Sequence, residues 1–483
     1  FTQQWAIAAS HQALSDYGFP ERNIDPERMA VVIGNSNAGE RHYRSTMRIL
    51  LPEYVQALEQ SDTFRNLPAA VQQQLVDSFQ QNIRHQIPDI TEDTMSGELS
   101  NIIAGRIANV FNFNGPNFVT DAACASSLAA LQAAIQGLND YQFDTVLAGG
   151  VDRNMGPESY VKFSKIGALS ADGSRPYADG ANGFVMGEGT AIFLLKRLAD
   201  AERDGDKIYA VIRGIGSSSD GKGKGITAPN PIGQQKAIER AWKNAGVTPA
   251  SVGLIEGHGT STRVGDVVEV NSLNEIFGKF GIPARTIALG SVKSNIGHLK
   301  SAAGAAGLAK VAFALDQKTL PPSVNFQKPN PNIHFEHMPF FVNTQAQAGE
   351  KPAGEIRRAG VSSFGFGGTN FHVVLEEAVE AVGELVAQDL LPDLGLSAGR
   401  AQRVIIPGYG NDLVSSRDDC VERRPEHGFP RAGVQTYHGR HQPRNLLISW
   451  SPQTRALISH GFPPLSGQRF VVVAADQVEV NRA

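Results

Sequence analysis

The chain has 483 residues, 41% of them hydrophobic, with a formal net charge of -4. That length holds two or three domains' worth of core, and the near-neutral balance speaks against a nucleic acid or an anionic membrane as partner. Its two cysteines, Cys124 and Cys420, exclude a disulfide framework or a cysteine zinc site and fit a reducing, cytoplasmic setting, and no apolar run approaches the about 20 residues of a membrane span.

Phe1 to Tyr17 carries an amphipathic helical pattern with no signal peptide and no initiator Met, so the chain reads as an excised or incomplete fragment. Met29 to Gly34 (MAVVIG) reads as a strand that ends in the turn 35–39. Residues 46–84 hold helical periodicity with many Gln and little Gly, which predicts a helical insertion over about 40–97. Leu99 to Phe111 reads as a helix ended by Gly115-Pro116, Asn117 to Thr120 as a strand, and Cys124 to Leu138 as a helix. Thr145 to Gly149 is a buried strand, and 150–190 is a long glycine-rich stretch. Thr190 to Leu195 and Ile208 to Ile215 read as strands joined by a charged hairpin-like loop.

The rhythm then repeats. Pro231 to Ala245 is a helix, Val252 to Glu256 a strand, Arg263 to Phe277 a helix and Ile287 to Leu289 a strand. Ser301 to Leu315 is an Ala/Gly-rich helix suited to close packing against its counterpart, and Ala359 to Ser362 and Phe371 to Glu376 are late strands. The expected class is mixed α/β with a strand–turn–helix unit recurring in two halves, 1–220 and 221–377. From 378 onward the chain reads differently. The acidic run 376–390 suits a linker or a fraying helix, no lysine follows Lys351, and 400–483 lacks sustained periodicity. Residues 378–483 are read as linker and tail, or as the product of a disrupted frame, and no function is built on them.

Cys124 falls where a strand ends and a helix begins, in Asp121-Ala122-Ala123-Cys124-Ala125-Ser126-Ser127. A thiol at a helix N-terminus meets unpaired N–H groups and the positive end of the dipole, both of which favour thiolate. Its small neighbours leave room for a substrate. Glu256-Gly257-His258-Gly259-Thr260-Ser261-Thr262 and Lys293-Ser294-Asn295-Ile296-Gly297-His298 each put a histidine in a glycine-flanked turn after a strand, the edge where α/β sheets build sites. A cysteine and two histidines in equivalent turns suit acyl transfer to a thiol followed by carbon–carbon bond formation. Two neutral imidazoles would then serve the developing enolate oxygen. With Asn295 instead of the second histidine, the set would suit a condensation of other detail or a papain-like hydrolase. Phe364-Gly365-Phe366-Gly367-Gly368-Thr369-Asn370 is a third glycine turn. It reads equally as a plain hairpin or as a close backbone approach whose N–H groups complete an oxyanion hole.

ACASS at Cys124, EGHGTST at His258, VKSNIGH at His298 and FGFGGTN at Phe366 occur in this order and at family-like spacing. Over about residues 1–377 the chain resembles a β-ketoacyl synthase of the thiolase-like fold, most closely the ketosynthase domain of type I polyketide or polyunsaturated-fatty-acid synthases. The resemblance implies duplicated α/β halves in a five-layer α-β-α-β-α arrangement. It implies a catalytic triad of Cys124 as nucleophile with His258 and His298 supporting decarboxylation and condensation, and Lys293 holding it electrostatically. The N–H groups of Cys124 and Phe366 would form the oxyanion hole, and Phe366 would gate the malonyl side. Thr260, Thr262, Phe364 and Gly367 would contact substrate, with Asp266, Glu269 and Asn295 in support. It implies no bound cofactor or metal, a phosphopantetheine arm arriving on an acyl-carrier protein, acyl and malonyl-type thioesters as substrates, and a homodimer.

Two departures stand out. The nucleophile motif is Ala-Ala-Cys-Ala-Ser-Ser where many relatives have Thr-Ala-Cys-Ser-Ser-Ser, which blurs the subfamily and leaves the chemistry intact. The family also begins with a central-sheet strand that this sequence lacks ahead of its first helix. The expectation is an exposed strand edge, reduced stability and a risk of inactivity. Other readings are weaker. Gly216 to Gly223 nearly fits a phosphate-binding loop but ends in Gly223, with no hydroxyl for magnesium, and Gly395-Leu396-Ser397-Ala398-Gly399 fits G-x-S-x-G without a strand before it. An inert, carrier-binding ketosynthase-like fragment remains the alternative to catalysis.

Overall fold

A computed structural model of the chain describes residues 1–36, 39–223, 225–351, 355–379 and 470–474. In order, α1 (Thr2–Tyr17) leads to β1 (Met29–Gly34). The helical insertion follows, as α2 (Glu40–Ile49), α3 (Leu51–Gln60), α4 (Asp62–Arg65), α5 (Ala69–Gln86) and α6 (Glu92–Glu98). Next come α7 (Asn101–Phe111), β2 (Asn117–Thr120), a 3₁₀ turn at Ala123–Ala125, α8 (Ser126–Asn139) and β3 (Thr145–Asp152). They are followed by α9 (Pro157–Lys165), β4 (Gly189–Arg197), α10 (Leu198–Arg203) and β5 (Ala210–Ser219). The second half runs α11 (Pro231–Ala245), β6 (Val252–Glu256), α12 (Gly265–Phe277), β7 (Ile287–Gly290), α13 (Lys293–Ile296) and α14 (Ala303–Asp316). It ends with β8 (Thr319–Leu320), β9 (Phe340–Val342), β10 (Gln347–Ala348), β11 (Arg358–Gly365), β12 (Thr369–Glu376) and β13 (Phe470–Ala474).

Eleven strands form one sheet in the order β2-β1-β3-β4-β13-β5-β12-β11-β6-β7-β9, and β8 and β10 make a separate ribbon. Strand alternation divides the apolar residues between two faces. Met29, Val31 and Ile33 join Leu147, Ile192 and Leu194 in a core beneath α1 and α7. Ala30 and Val32 join Val146, Phe193 and Leu195 in a central core with Leu128 and Leu131 of α8 and Leu308 and Val311 of α14. The second half does the same, with Leu254, Ala288 and Val373 in the central core. Ile255, Leu289 and Val374 pack instead with Trp242 of α11 and Phe277 of α12. The two halves of this one sheet therefore supply the two sheet layers of a helix, sheet, helix, sheet, helix stack, with α8 and α14 innermost. Strands buried on both faces explain why the strand runs are almost wholly apolar.

The Ala/Gly helix α14 packs closely on α8: a Cβ on Gly304 would lie 2.7 Å from Leu128 and 2.9 Å from the Ser127 hydroxyl. The insertion keeps its own small core of Leu51, Val55, Phe64 and Val76. Among the described residues no helix is long and apolar enough to cross a membrane.

Two expectations need correction, and one stretch holds a helix that its glycines concealed. Within the glycine-rich stretch 150–190 lies α9, begun by Pro157 at its first position with Glu158 in the first turn and Lys162 and Lys165 in the last. No hairpin joins β4 and β5; α10 follows β4, and the two strands are not neighbours. Between them runs β13, antiparallel to both, with Val472 opposite Leu195 and Ala210. The strand edge expected to lie open is therefore paired, by a Phe-Val-Val-Val-Ala run of high β propensity in the segment read as tail. The other readings placed on 380–469, including Gly395–Gly399, lie outside the described residues. Val379–Pro464 is a separate unit, of which only Val379 is described.

Candidate active site

The nucleophile turn is held by short polar side chains. Thr120 at the end of β2 donates to the Ser126 carbonyl, and the Ser126 hydroxyl accepts from the Ala122 amide and donates to the Ala123 carbonyl. Ala123 takes a left-handed φ of 50°, a tight bend that aligns Cys124 at the head of α8. Cys124 sits in the 3₁₀ turn and not in the helix proper. Its carbonyl accepts from the Ser363 hydroxyl on β11 at 2.8 Å, which ties the turn to the second half of the fold.

β11 and β12 join through Phe366-Gly367-Gly368. A Cβ on Gly365 would lie 2.2 Å from the Ala122 carbonyl, and Gly367 has φ 106°, so both positions require glycine. This close approach sets Phe366 and Cys124 on the wall of one cavity, where the Phe366 amide lowers the thiol.

The two histidine turns are anchored differently. Glu269 of α12 accepts the His258 amide at 2.6 Å, the Gly259 amide at 2.8 Å and the Tyr177 hydroxyl at 3.1 Å. Asp266, one helical turn earlier, accepts the Tyr177 amide at 2.7 Å. His298 is clasped by backbone: its amide donates to the Val185 carbonyl and its carbonyl accepts from Gly187. Its Nδ1 accepts the Lys300 amide at 2.9 Å. An accepting Nδ1 leaves the imidazole hydrogen on Nε2. The two imidazoles meet edge to face with ring centroids 5.7 Å apart, and Phe364 packs 5.6 Å from His258.

These turns open on one cavity of about 680 Å³ lined by Cys124, His258, His298, Thr260, Thr262, Glu269, Phe364, Phe366, Gly367 and Lys300, among others. The Thr260 and Thr262 hydroxyls lie 3.0 Å apart on its wall. Lys293 and Asp266 stand behind it, buried at 3% and 0% exposure. Asn295 does not join the site: it is exposed, and its Oδ1 accepts from the Ser294 hydroxyl at 2.9 Å.

Electrostatics weigh against one expectation. Burial pushes the Cys124 thiol above its ordinary value, against the Phe366 amide and the Lys293 charge, which pull it down. Burial also holds both imidazoles well below the usual histidine value, reinforced by Lys293. Both rings are neutral at pH 7. Lys293 is itself lowered by burial and supported by Glu256 and Glu269. Tyr177, Asp152, Lys300 and the buried Glu256–Lys310 pair were not read from the sequence. Glu256 opens the His258 motif, but its partner Lys310 and the Asp152–Lys300 pairing join residues far apart in sequence.

Matches to known families cover these elements in succession: the β-ketoacyl synthase N-terminal domain over residues 1–201, its C-terminal domain over 209–327 and the ketoacyl-synthetase C-terminal extension over 329–406. The chain belongs to the β-ketoacyl synthase family. It is similar to a polyunsaturated fatty acid synthase polypeptide of Thraustochytrium, 47% identical over 299 residues that make up 60% of this chain and 11% of that protein. It is also similar to polyketide synthase PksL of Bacillus subtilis, 45% identical over 277 residues, 57% of this chain and 6% of that one. Among solved structures, the ketosynthase from module 6 of the bacillaene synthase of Bacillus subtilis matches with a TM-score of 0.65 at 35% identity, covering 78% of this chain and 59% of that one. The oxazolomycin ketosynthase domain of Streptomyces albus matches with a TM-score of 0.66 at 31% identity, covering 78% and 60%. The fold is thus thiolase-like, and the likeness is to ketosynthase domains of type I synthases. The chain spans less than two thirds of these solved ketosynthases and a small fraction of the curated synthases.

Proposed function

We propose that the chain is a β-ketoacyl synthase, an acyltransferase that joins a cysteine-bound acyl group to a malonyl-type extender by decarboxylative Claisen condensation. The observation that carries this is Cys124 sharing one cavity with Phe366 and two neutral imidazoles.

In the first half-reaction Cys124 Sγ attacks the carbonyl of an acyl thioester. The carbonyl oxygen gains negative charge, which the Cys124 and Phe366 amides would receive. The thioester C–S bond breaks, the Sγ–acyl bond forms, and the carrier thiol leaves with a proton. In the second, the extender carboxylate departs as carbon dioxide and leaves its electron pair as an enolate. His298, with hydrogen on Nε2, donates to the enolate oxygen beside His258. Neutral rings suit this step because they stabilise oxygen charge without protonating the carbon nucleophile. The new carbon–carbon bond forms as the Sγ–acyl bond breaks, its electron pair returns to Cys124 Sγ, and a proton from solvent restores the thiol.

The Thr260 and Thr262 hydroxyls would bind the amides of a phosphopantetheine arm brought by an acyl-carrier protein. The exposed Phe366 would gate the extender's approach, with Phe364 and Gly367 shaping the same wall. The free thiol suits a reducing compartment such as the cytoplasm. A homodimer would form at β2, the terminal strand of the sheet, where Phe118 is 39% exposed. Catalysis is favoured over an inert carrier-binding role because all three reacting groups are present and assembled.

The test supplies acyl thioester and malonyl-carrier protein to the full chain and follows the carrier by mass spectrometry. A β-ketoacyl carrier product that requires His258 and His298 supports the reading; a chain that loads acyl groups and only hydrolyses them overturns it.

A further inference from the structure

Asp152 ends β3 and is fully buried. Its Oδ2 accepts the Ser301 hydroxyl at 2.8 Å and its Oδ1 accepts the Asn154 amide at 3.0 Å. The Lys300 ammonium stands 3.2 Å from the same Oδ1, donates to the Gly187 carbonyl at 2.7 Å and lies 3.9 Å from the Met155 sulfur. Lys300 is 3% exposed, and its backbone takes a left-handed φ of 50°, unfavourable for a side chain of this kind. In that conformation its amide reaches His298 Nδ1 at 2.9 Å. A strained residue thus sets the imidazole tautomer, and its own side chain is anchored at the end of the neighbouring strand.

The geometry points to Asp152 and Lys300 as a positioning pair for the condensation centre. Lys300, gripped by Asp152 and the Gly187 carbonyl, holds the left-handed turn that aims its amide at His298, and its charge offsets that of Asp152 at the Cys124 sulfur. The inference rests on the reading of this cavity as the condensation site.

The electrostatic half starts from placement, since Lys300 and Cys124 line the same cavity. After burial, the Phe366 amide and Lys293, the next influences on the thiol are Asp152, which raises it, and Lys300, which lowers it. The charged groups around Cys124 are therefore Lys293 at α13, Asp152 at β3 and Lys300, with His258 and His298 the neutral titratable neighbours. Glu256, Glu269 and Asp266 face Lys293 from behind. Each ion of the pair matters only when its partner is gone. Lys300→Met leaves a buried carboxylate beside the thiol, and Asp152→Asn leaves a buried ammonium.

The test is the pH dependence of iodoacetamide alkylation at Cys124, read by peptide mass spectrometry in the full chain. Lys300→Met is expected to move the profile up by about one pH unit, about a tenfold slower alkylation at pH 7. Asp152→Asn is expected to move it down by a similar amount, and the double variant to return to wild type. Lys300→Met is also expected to lower the condensation kcat about tenfold, with partial recovery in Lys300→Arg. Thermal melting reports folding in each case, and Asp152→Asn, which keeps shape and an acceptor, carries the test if Lys300→Met does not fold. Profiles of the single variants that coincide with wild type would overturn the pair's role. Failure of wild type to load an acyl group would overturn the underlying reading instead.

Discussion

Glu269 is the residue on which the His258 turn depends. Its two oxygens take three donors, two of them consecutive amides of the turn. Glu269→Ala would leave those donors buried and unpaired, which costs on the order of 3 kcal/mol of stability and releases the imidazole. Condensation should fall at least about 100-fold while Cys124 still accepts acyl groups. Tyr177→Phe removes one donor and should cost about 1 kcal/mol by thermal or urea unfolding, with little change in kcat. Equal losses in the two variants would show that the carboxylate's hold on the turn is not what matters. The depressed histidines add a pH signature. Rings whose folded values lie well below 6.5 stay neutral as pH falls through that value, whereas the unfolded chain gains protons there. Decarboxylation per folded molecule should therefore be flat across about pH 6 to 7, while stability declines as pH falls below about 6.5. A condensation rate that titrates with an ordinary histidine value would contradict neutral, buried imidazoles.

At the scale of elements, the fold uses turns to carry chemistry and helices to brace them. α12 is the clearest case, since Asp266 and Glu269 hold the segment from 256 to 262 against Tyr177. Burial raises Asp266 to about 7, opposed by the Tyr177 amide and reinforced by nearby Glu269. A carboxyl raised in the folded state binds its proton more tightly there than in the unfolded chain. Its contribution to stability is present below the unfolded value and is lost as pH rises through about 7. Asp266→Asn should abolish that part of the decline, measured as the change in melting temperature between about pH 5 and about pH 8. Parallel declines in variant and wild type would contradict the assignment.

The strand and helix runs were legible because their periodicities are strong, as in MAVVIG and the helix 231–245. Cys124, His258 and His298 were legible because each stands in a glycine-flanked or small-residue turn. α9 was hidden by the glycines around it, and Lys300 by a role that depends on Asp152, about 150 positions away in the chain. The raised thiol could not be read locally either, because desolvation outweighs the Phe366 amide and the Lys293 charge, both supplied by distant segments.

For the whole molecule, two features of the sheet carry predictions. β13 lies between β4 and β5 with hydrogen-bonded neighbours on both sides, so its interior has no open edge. Val472→Pro would remove a ladder donor at its centre and should destabilise the protein by about 3 kcal/mol or more. An unchanged unfolding midpoint would mean that the sheet does not depend on this strand. At the far end β2 pairs only with β1 among the described strands. If the proposed homodimer forms at this edge, Phe118→Asp should leave the chain monomeric in sedimentation or light scattering, and a dimer unaltered by it would place the interface elsewhere.

The most direct measurement is intact-protein mass after incubation with a short acyl thioester, made side by side on wild type, Cys124→Ala and His298→Ala. The account predicts one added acyl group on wild type and on His298→Ala, with none on Cys124→Ala, because Cys124 alone accepts the acyl group and His298 serves the later decarboxylation. An acyl group on Cys124→Ala, or none on wild type, would contradict it.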